Sequence, residues 1–171
     1  MTATALAAAI GGWRRLSDAL HRATGWVCVA LVLFMTGEVL VHVFFRYALF
    51  APLKWGEELA RLAMIWTGML GIALALREGE HMGLETLQGL LGPRARAALR
   101  LGGHVLVLAF LGVLGGWGWA MALEARGSVL PALQISWTWA MVAVPVTALL
   151  QIVHVTRDLI DEALALAGRK G

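Results

Sequence analysis

The sequence predicts an all-α integral membrane protein with four transmembrane helices and short interfacial helices. Of its 171 residues, 60% are hydrophobic and only 15% are charged, and the mean hydropathy is +0.76. A soluble domain of this length needs more polar residues to cover its core. Backbone groups in lipid must be hydrogen-bonded within the protein, so these apolar segments are predicted to be helices.

Four segments are long and apolar enough to cross a bilayer, since about 20 helical residues span its hydrocarbon core. They are residues 25–45, 59–76, 101–123 and 135–155. Glycine is frequent in the third segment and would also suit a pair of strands, but the need to satisfy backbone groups within lipid favours a helix. We interpret residues 1–171 as one membrane domain, because no repeat or linker divides the sequence.

Amphipathic segments flank these spans. Residues 12–22 place Trp13, Leu16 and Leu20 on one helical face, and residues 80–91 repeat the pattern with leucines. Such segments are typical of helices that lie in the membrane interface. The segment after the fourth span is a weaker candidate of the same kind.

Basic residues are distributed unequally along the chain. Ten of the fourteen lysines and arginines lie on the side that holds both termini and the connection between the second and third spans. Because cytoplasmic segments are enriched in such residues, both termini are predicted to be cytoplasmic. The N-terminal segment has no positive charge before its short apolar run, so we expect no cleaved signal peptide.

The connection between the first two spans concentrates polar and aromatic side chains. Residues 46–61 read RYALFAPLKWGEELAR and include Arg46, Lys54, Trp55, Glu57, Glu58 and Arg61. The charge distribution predicts that this turn lies on the outer face. We expect Arg46 to pair with Glu57 or Glu58. We also expect Lys54 and Trp55 to be exposed toward a soluble partner.

Glu38 and His42 are the candidates for chemistry inside the membrane. They lie four residues apart on the first span, so they share a helical face with Arg46. Ionisable groups in lipid are costly and are therefore functional suspects. Three interpretations stay open: a structural pair that faces a protein partner, a neutral hydrogen-bonded acid, and direct transport chemistry.

Gly112 and Gly116 form a GxxxG pair in the third span. Small residues at this spacing let the backbones of two membrane helices approach closely. The pair predicts a helix-packing site, although glycine is also common in membrane helices without such a role.

Other classes of site have little support in the sequence. His104 and His154 could ligate a haem from the inner ends of the third and fourth spans, which is the alternative of a redox-enzyme anchor. The single cysteine, Cys28, permits no internal disulfide, and no catalytic triad or metal-ligand cluster occurs. The net charge of +3 follows from the uneven basic residues, so nucleic-acid binding is not expected. We therefore predict a protein that is not an enzyme and needs neither a cofactor nor a metal.

Residues 46–87 resemble the small membrane (Q-type) subunit of tripartite ATP-independent periplasmic (TRAP) transporters. The similarity rests on an RY pair, a Pro-x-x-Trp turn, an EELAR helix start, a Gly-x-Ala-x-Ala-Leu-Arg helix end and a Gly-x-His. In this sequence these are Arg46, Tyr47, Pro52, Trp55, Glu57, Glu58, Arg61, Gly71, Ala73, Ala75, Leu76, Arg77, Gly79 and His81. Gly83 departs from the arginine often found in the family, and Glu85 could be the family's acidic residue.

The resemblance implies a subunit of a sodium-coupled transporter in the bacterial inner membrane. Its partners would be a large membrane subunit on a separate chain, a periplasmic substrate-binding protein and membrane lipid. The large subunit would move a small organic anion by an elevator-like motion, and this chain would enlarge the static scaffold without binding substrate itself. The alternatives are the haem-binding anchor and an autonomous small carrier that uses Glu38 and His42.

Overall fold

The computed structural model describes residues 3–79 and 92–168. Its helices are α1 (Ala3–Tyr47), α2 (Gly56–Gly79), α3 (Pro93–Glu124), a 3-10 helix (Ala125–Gly127), α4 (Thr138–Met141) and α5 (Ala143–Gly168). The prediction of four membrane-spanning helices is confirmed, because four stretches of the described chain are long and apolar enough to cross a membrane. The interfacial helix predicted for residues 80–91 lies outside the described residues.

Helix α1 contains 45 residues, which corresponds to about 67 Å at 1.5 Å per residue. This length is about twice the hydrocarbon thickness of a bilayer. The predicted interfacial segment 12–22 is therefore not a separate helix, because it continues into the first span. The chain has no proline there, and Gly25 alone does not interrupt the helical hydrogen bonds.

A tight turn connects α1 to α2. The backbone N–H of Ala51 donates to the carbonyl of Phe45 at 3.0 Å, and Phe50 has a φ of 52°. Phe50 thus occupies the left-handed region that bulky residues rarely adopt. Helix α2 begins with Glu57 and Glu58 in its first turn, where acidic side chains interact favourably with the helix dipole.

The last membrane segment is interrupted at Val142, between α4 and α5. Pro145 follows the interruption by three residues and has no backbone N–H for the carbonyl of Met141. The sequence predicts a bend from Pro145 in mid-span, and the structure shows a break of the helix one turn before it. Helix α3 begins with Pro93 at its first position, where the missing N–H costs no intrahelical bond.

Helix α5 is the centre of the bundle and contacts α1, α2 and α3. Its Ala148 and Val155 pack with Leu111 of α3 in a buried apolar cluster. Gly118 of α3 is also buried, and a Cβ at this position would lie 2.8 Å from Cγ1 of Val144. Close approach of α3 to α5 therefore requires glycine at this contact.

Candidate functional site

The polar contacts of the bundle fall at its two ends. The loop end comprises the connections 48–55 and 125–137 with the adjoining helix turns. The terminal end is the opposite end, where residues 14–21 of α1 meet Arg77 of α2, Arg100 of α3 and residues 154–162 of α5. Most of the residues singled out from the sequence lie at the loop end.

At the terminal end, Asp18 joins three helices. Its Oδ1 accepts hydrogen bonds from Arg77 of α2 and from Nη1 of Arg157 of α5, the latter at 2.7 Å. Arg77 also donates to the backbone carbonyl of Ser17 at 3.2 Å. One carboxylate thus lies between two guanidinium groups from different helices. Charge-assisted bonds of this kind are stronger than neutral ones, so they hold α1, α2 and α5 together.

Further ion pairs lie at the same end of the bundle. Arg14 donates to Oδ1 of Asp161 through Nε at 3.0 Å and through Nη2 at 2.6 Å. Arg100 of α3 lies 3.5 Å from Glu162 of α5. All four long helices therefore contribute to the polar contacts of the terminal end.

A neutral contact lies beneath these charges. The Ser17 hydroxyl and Nδ1 of His154 are 2.7 Å apart and hydrogen-bonded. Ser17 has no exposed surface and His154 is only 4% exposed. The His154 ring also meets the ring of His21 edge-on, with centroids 6.0 Å apart. The first and last helices are thus joined by a buried polar contact.

Sequence reasoning missed the terminal end. It assigned residues 12–22 to an interfacial helix and placed no residue of the last span opposite them. One signal was present: Asp18 is the only acidic residue before Glu38, and Arg14, Arg15 and Arg22 surround it in sequence. A lone acid among arginines is a candidate for a specific ion-pair partner.

At the loop end, Glu58 binds backbone rather than arginine. Its carboxylate accepts hydrogen bonds from the N–H of Ala132 at 3.0 Å and of Leu133 at 2.9 Å. The start of α2 is thereby tied to the connection that precedes α4. Glu58 is therefore a structural contact whose partner is a backbone segment 74 residues away in sequence.

Arg46 does not form the expected ion pair. Within the described chain, no side-chain nitrogen of Arg46 lies within 4.0 Å of a carboxylate oxygen of Glu57 or Glu58. Its guanidinium carbon instead lies 5.9 Å from the ring centroid of Tyr47, within the range of a cation–π contact. The carboxylate of Glu58 is bound instead by the peptide N–H groups of residues 132 and 133.

Lys54, Trp55, Glu57 and Arg61 are exposed around the same turn. The exposure of Lys54 and Trp55 agrees with the surface expected for a soluble partner, and the contact itself stays a prediction. Trp66, deeper in α2, donates from Nε1 to the carbonyl of Trp139 at 3.0 Å. This bond adds a second link between α2 and the segment that carries α4.

Glu38 and His42 lie against the start of α2. A Cβ at the buried Gly56 would overlap with Oε1 of Glu38 and with Nδ1 of His42. The structure therefore brings these two residues together with a helix start. Oε1 of Glu38 is buried without a hydrogen-bond partner among the described residues. Both side chains are half-buried.

Gly112 and Gly116 are exposed on the surface of α3. A Cβ at either position would meet no atom within 4 Å, whereas a Cβ at Gly115 would lie 3.5 Å from that of Ala148. Against the described residues, the glycines of α3 that pack within this chain are thus Gly115 and Gly118. A role for Gly112 and Gly116 in helix packing would require a partner chain.

The structure does not arrange His104 and His154 as a pair of haem ligands. His154 is buried between Ser17 and His21, so its ring has no open edge for a porphyrin. Nδ1 of His104 is 2.9 Å from the carbonyl of Arg100 and hydrogen-bonded to it. The imidazole of His154 thus belongs to a contact between two helices, whereas that of His104 bonds to the backbone of its own helix.

The sequence matches the family described as "Tripartite ATP-independent periplasmic transporters, DctQ component" over residues 35–165. It is 27% identical over 133 residues to the sialic acid TRAP transporter permease protein SiaT of Haemophilus influenzae, covering 78% of this chain and 22% of that protein. It is 31% identical over 101 residues to the sialic acid TRAP transporter small permease protein SiaQ of Vibrio cholerae, covering 59% of this chain and 58% of that protein. The chain thus spans less than two thirds of the length of each of these relatives.

Proposed function

This chain belongs to the DctQ-component family of tripartite ATP-independent periplasmic transporters, and we propose that it is a static scaffold subunit in the uptake of a small organic anion. The family membership that the sequence resemblance predicted is thereby confirmed. The chain is accordingly a multi-pass inner-membrane component of a transporter and not an enzyme. The scaffold role, the substrate class and the sodium coupling are parts of the proposal.

The distribution of charge supports a scaffold rather than a carrier. Residues 62–76, 101–123 and 127–156 contain no aspartate, glutamate, lysine or arginine. Apart from Glu38 in the first span, the charged groups of the described chain lie at the terminal end, where several form ion pairs, or near the loop end. A route for an anion or a proton needs polar partners on several helices at the same depth. This concentration of charge at the two ends is the observation that carries the proposal.

The proposed partner in the membrane is a large transporter subunit. Helices α1 and α3 expose many large apolar side chains, including Leu33, Leu40, Leu106 and Phe110. Lipid or protein can cover such surfaces, and the exposed Gly112–Gly116 pair would let a partner helix approach α3 closely. We infer that this face of α3 contacts the large subunit.

Two glycine variants test that surface. Gly116→Val should reduce copurification of the large subunit while leaving the chain's own thermal unfolding nearly unchanged. Gly118→Val is the matched control on the same helix, and it should destabilise the chain itself by about 2 kcal/mol because the new side chain overlaps α5. Unchanged copurification of Gly116→Val would contradict the proposed contact.

The proposed soluble partner is a periplasmic substrate-binding protein that docks at the loop end. The supporting features are the exposed Lys54 and Trp55 and the predicted outer position of this turn. Lys54→Glu should slow uptake without dissociating the membrane complex, since an exposed charge mainly affects encounter between proteins. Loss of the membrane complex in this variant would contradict the proposal, because it would place Lys54 at the contact with the large membrane subunit.

A sugar acid is the first substrate to test, because two relatives are named as sialic acid transporter proteins. The chain should be reconstituted in liposomes alone, with the large subunit, and with both the large subunit and the binding protein. We expect sodium-dependent uptake only in the complete set. Flux through the chain alone would support the autonomous carrier instead.

A further inference from the structure

We propose that the groove between α1 and α2 is a binding site for one anionic phospholipid, with its phosphate at Arg61 and an acyl chain between the helices. The groove encloses about 500 Å³ and lies between residues 35–40 of α1 and residues 60–64 of α2. It is separate from the exposed face of α3 and from the soluble docking surface proposed above.

The walls of the groove match hydrocarbon. Met35, Val39 and Leu40 line it from α1, and Ala60 and Met64 line it from α2. Leu40 is 65% exposed and Met64 is 58% exposed, so these apolar surfaces are open in the described chain. Thr36 also lines the groove, but its hydroxyl donates to the carbonyl of Val32 at 2.8 Å. The groove is therefore lined by apolar side chains and by one hydroxyl that already donates a hydrogen bond within α1.

Arg61 supplies the charge at this groove. It lies five residues after the start of α2, or about 7.5 Å along the helix from the loop end. Glu57 and Glu58 precede it by one turn, yet within the described chain no ion pair or hydrogen bond engages the Arg61 side chain. Its environment thus contrasts with that of Arg77 and Arg157, which share Asp18 at the terminal end.

An unpaired guanidinium beside an apolar groove favours an amphiphile with an anionic head. Arginine binds phosphate oxygens with strong, geometrically matched hydrogen bonds. The depth of Arg61 places it near the headgroup region if α2 spans the bilayer from its start. The adjoining groove then extends toward the bilayer centre, in the direction of an acyl chain. A lipid with net negative charge would neutralise Arg61, whereas a zwitterionic lipid brings its own cation.

The test is native mass spectrometry of the full chain, purified alone in mild detergent and supplied with equal amounts of phosphatidylglycerol and phosphatidylethanolamine. The wild type should retain one phosphatidylglycerol in preference to phosphatidylethanolamine. Arg61→Gln should lower that retention about fivefold, the effect of one basic residue on an anionic lipid. Arg46→Gln is the matched control, because Arg46 lies at the same end of the bundle but outside the groove. Equal losses in both variants, or equal retention of the two lipids, would overturn the proposal.

A second measurement locates the lipid independently of any variant's folding. Phosphatidylglycerol with a photoactivatable group in its acyl chain should cross-link to residues 35–40 and 60–64 of the wild-type chain. Met64→Trp, which places a larger side chain in the groove, should reduce those adducts. Adducts confined to other helices would show that the groove is not a lipid site. The same adducts are expected when the cross-linking is repeated in the assembled complex. Their absence there would assign the groove to a helix of another subunit and would overturn the proposal.

Discussion

Side chains at the terminal end bond to one another, whereas side chains at the loop end bond mainly to backbone. Asp18 receives Arg77 and Arg157 from two other helices, while Glu58 receives the peptide N–H groups of residues 132 and 133. A network of side chains depends on the charge of each member. A carboxylate bound to peptide N–H groups depends on how the connecting segment is folded. The terminal end is thus stabilised by ion pairs between side chains, and the loop end by the conformation of a connecting segment.

Removal of the charge at the centre of the terminal end should have the largest effect. Asp18→Asn leaves Arg77 and Arg157 close together without a carboxylate between them. We expect a loss of about 2 kcal/mol in the free energy of unfolding, below the cost at a fully buried site, because the Asp18 side chain is 45% exposed. Thermal unfolding in detergent measures it. Asp158→Asn is the control, because Asp158 lies next to Arg157 in α5 and forms no ion pair within the described chain. An equal loss there would contradict a specific role for Asp18.

Loss of the hydrogen bond between Ser17 and His154 should have the second-largest effect. Ser17→Ala leaves Nδ1 of the buried His154 without its hydrogen-bond partner, which should cost about 1.5 kcal/mol. The same substitution in a His154→Phe background should cost clearly less, since no imidazole remains to be satisfied. Equal costs in both backgrounds would show that Ser17 acts through packing alone.

At the loop end, Glu58→Gln should have a smaller effect than either change at the terminal end. Glutamine keeps an oxygen acceptor but loses the charge, so we expect a loss of about 1 kcal/mol. Hydrogen exchange at the amides of residues 132 and 133 should become faster. The exposed neighbour Glu57 offers the control, because Glu57→Gln should leave that exchange unchanged. Unaltered exchange in Glu58→Gln would remove the proposed difference between the two ends.

Trp66→Phe should have the smallest effect. It deletes the indole donor to the carbonyl of Trp139, and such bonds within membrane proteins contribute about 0.6 kcal/mol. Trp139→Phe retains the accepting carbonyl and serves as the control for loss of aromatic area. If Trp139→Phe destabilised the chain more than Trp66→Phe, aromatic packing rather than this bond would connect α2 to α4.

The sequence was informative about each helix alone and less so about the contacts between helices. Hydropathy located four spans because lipid imposes the same length and composition on each of them. Hydropathy wrongly divided α1 into an interfacial helix and a span. The polarity of the sequence changes between these two parts, but the helical hydrogen bonds continue through them. The turn before α2 was recognisable from local residues. The partners of Asp18 were not, because Arg77 and Arg157 lie 59 and 139 residues away. The groove at Arg61 likewise depends on how two helices meet.

Because α1 is one continuous helix, the distance between two positions on it is fixed by their separation in sequence. Gly12 and Tyr47 are both exposed and lie 35 residues apart on one helix, so their backbones are separated by about 52 Å. Labels at these positions would measure one fixed length through the membrane. Any shortening of that length during a transport cycle would report bending of the helix, while a constant length with changing distances to other subunits would report motion of the chain as a rigid rod.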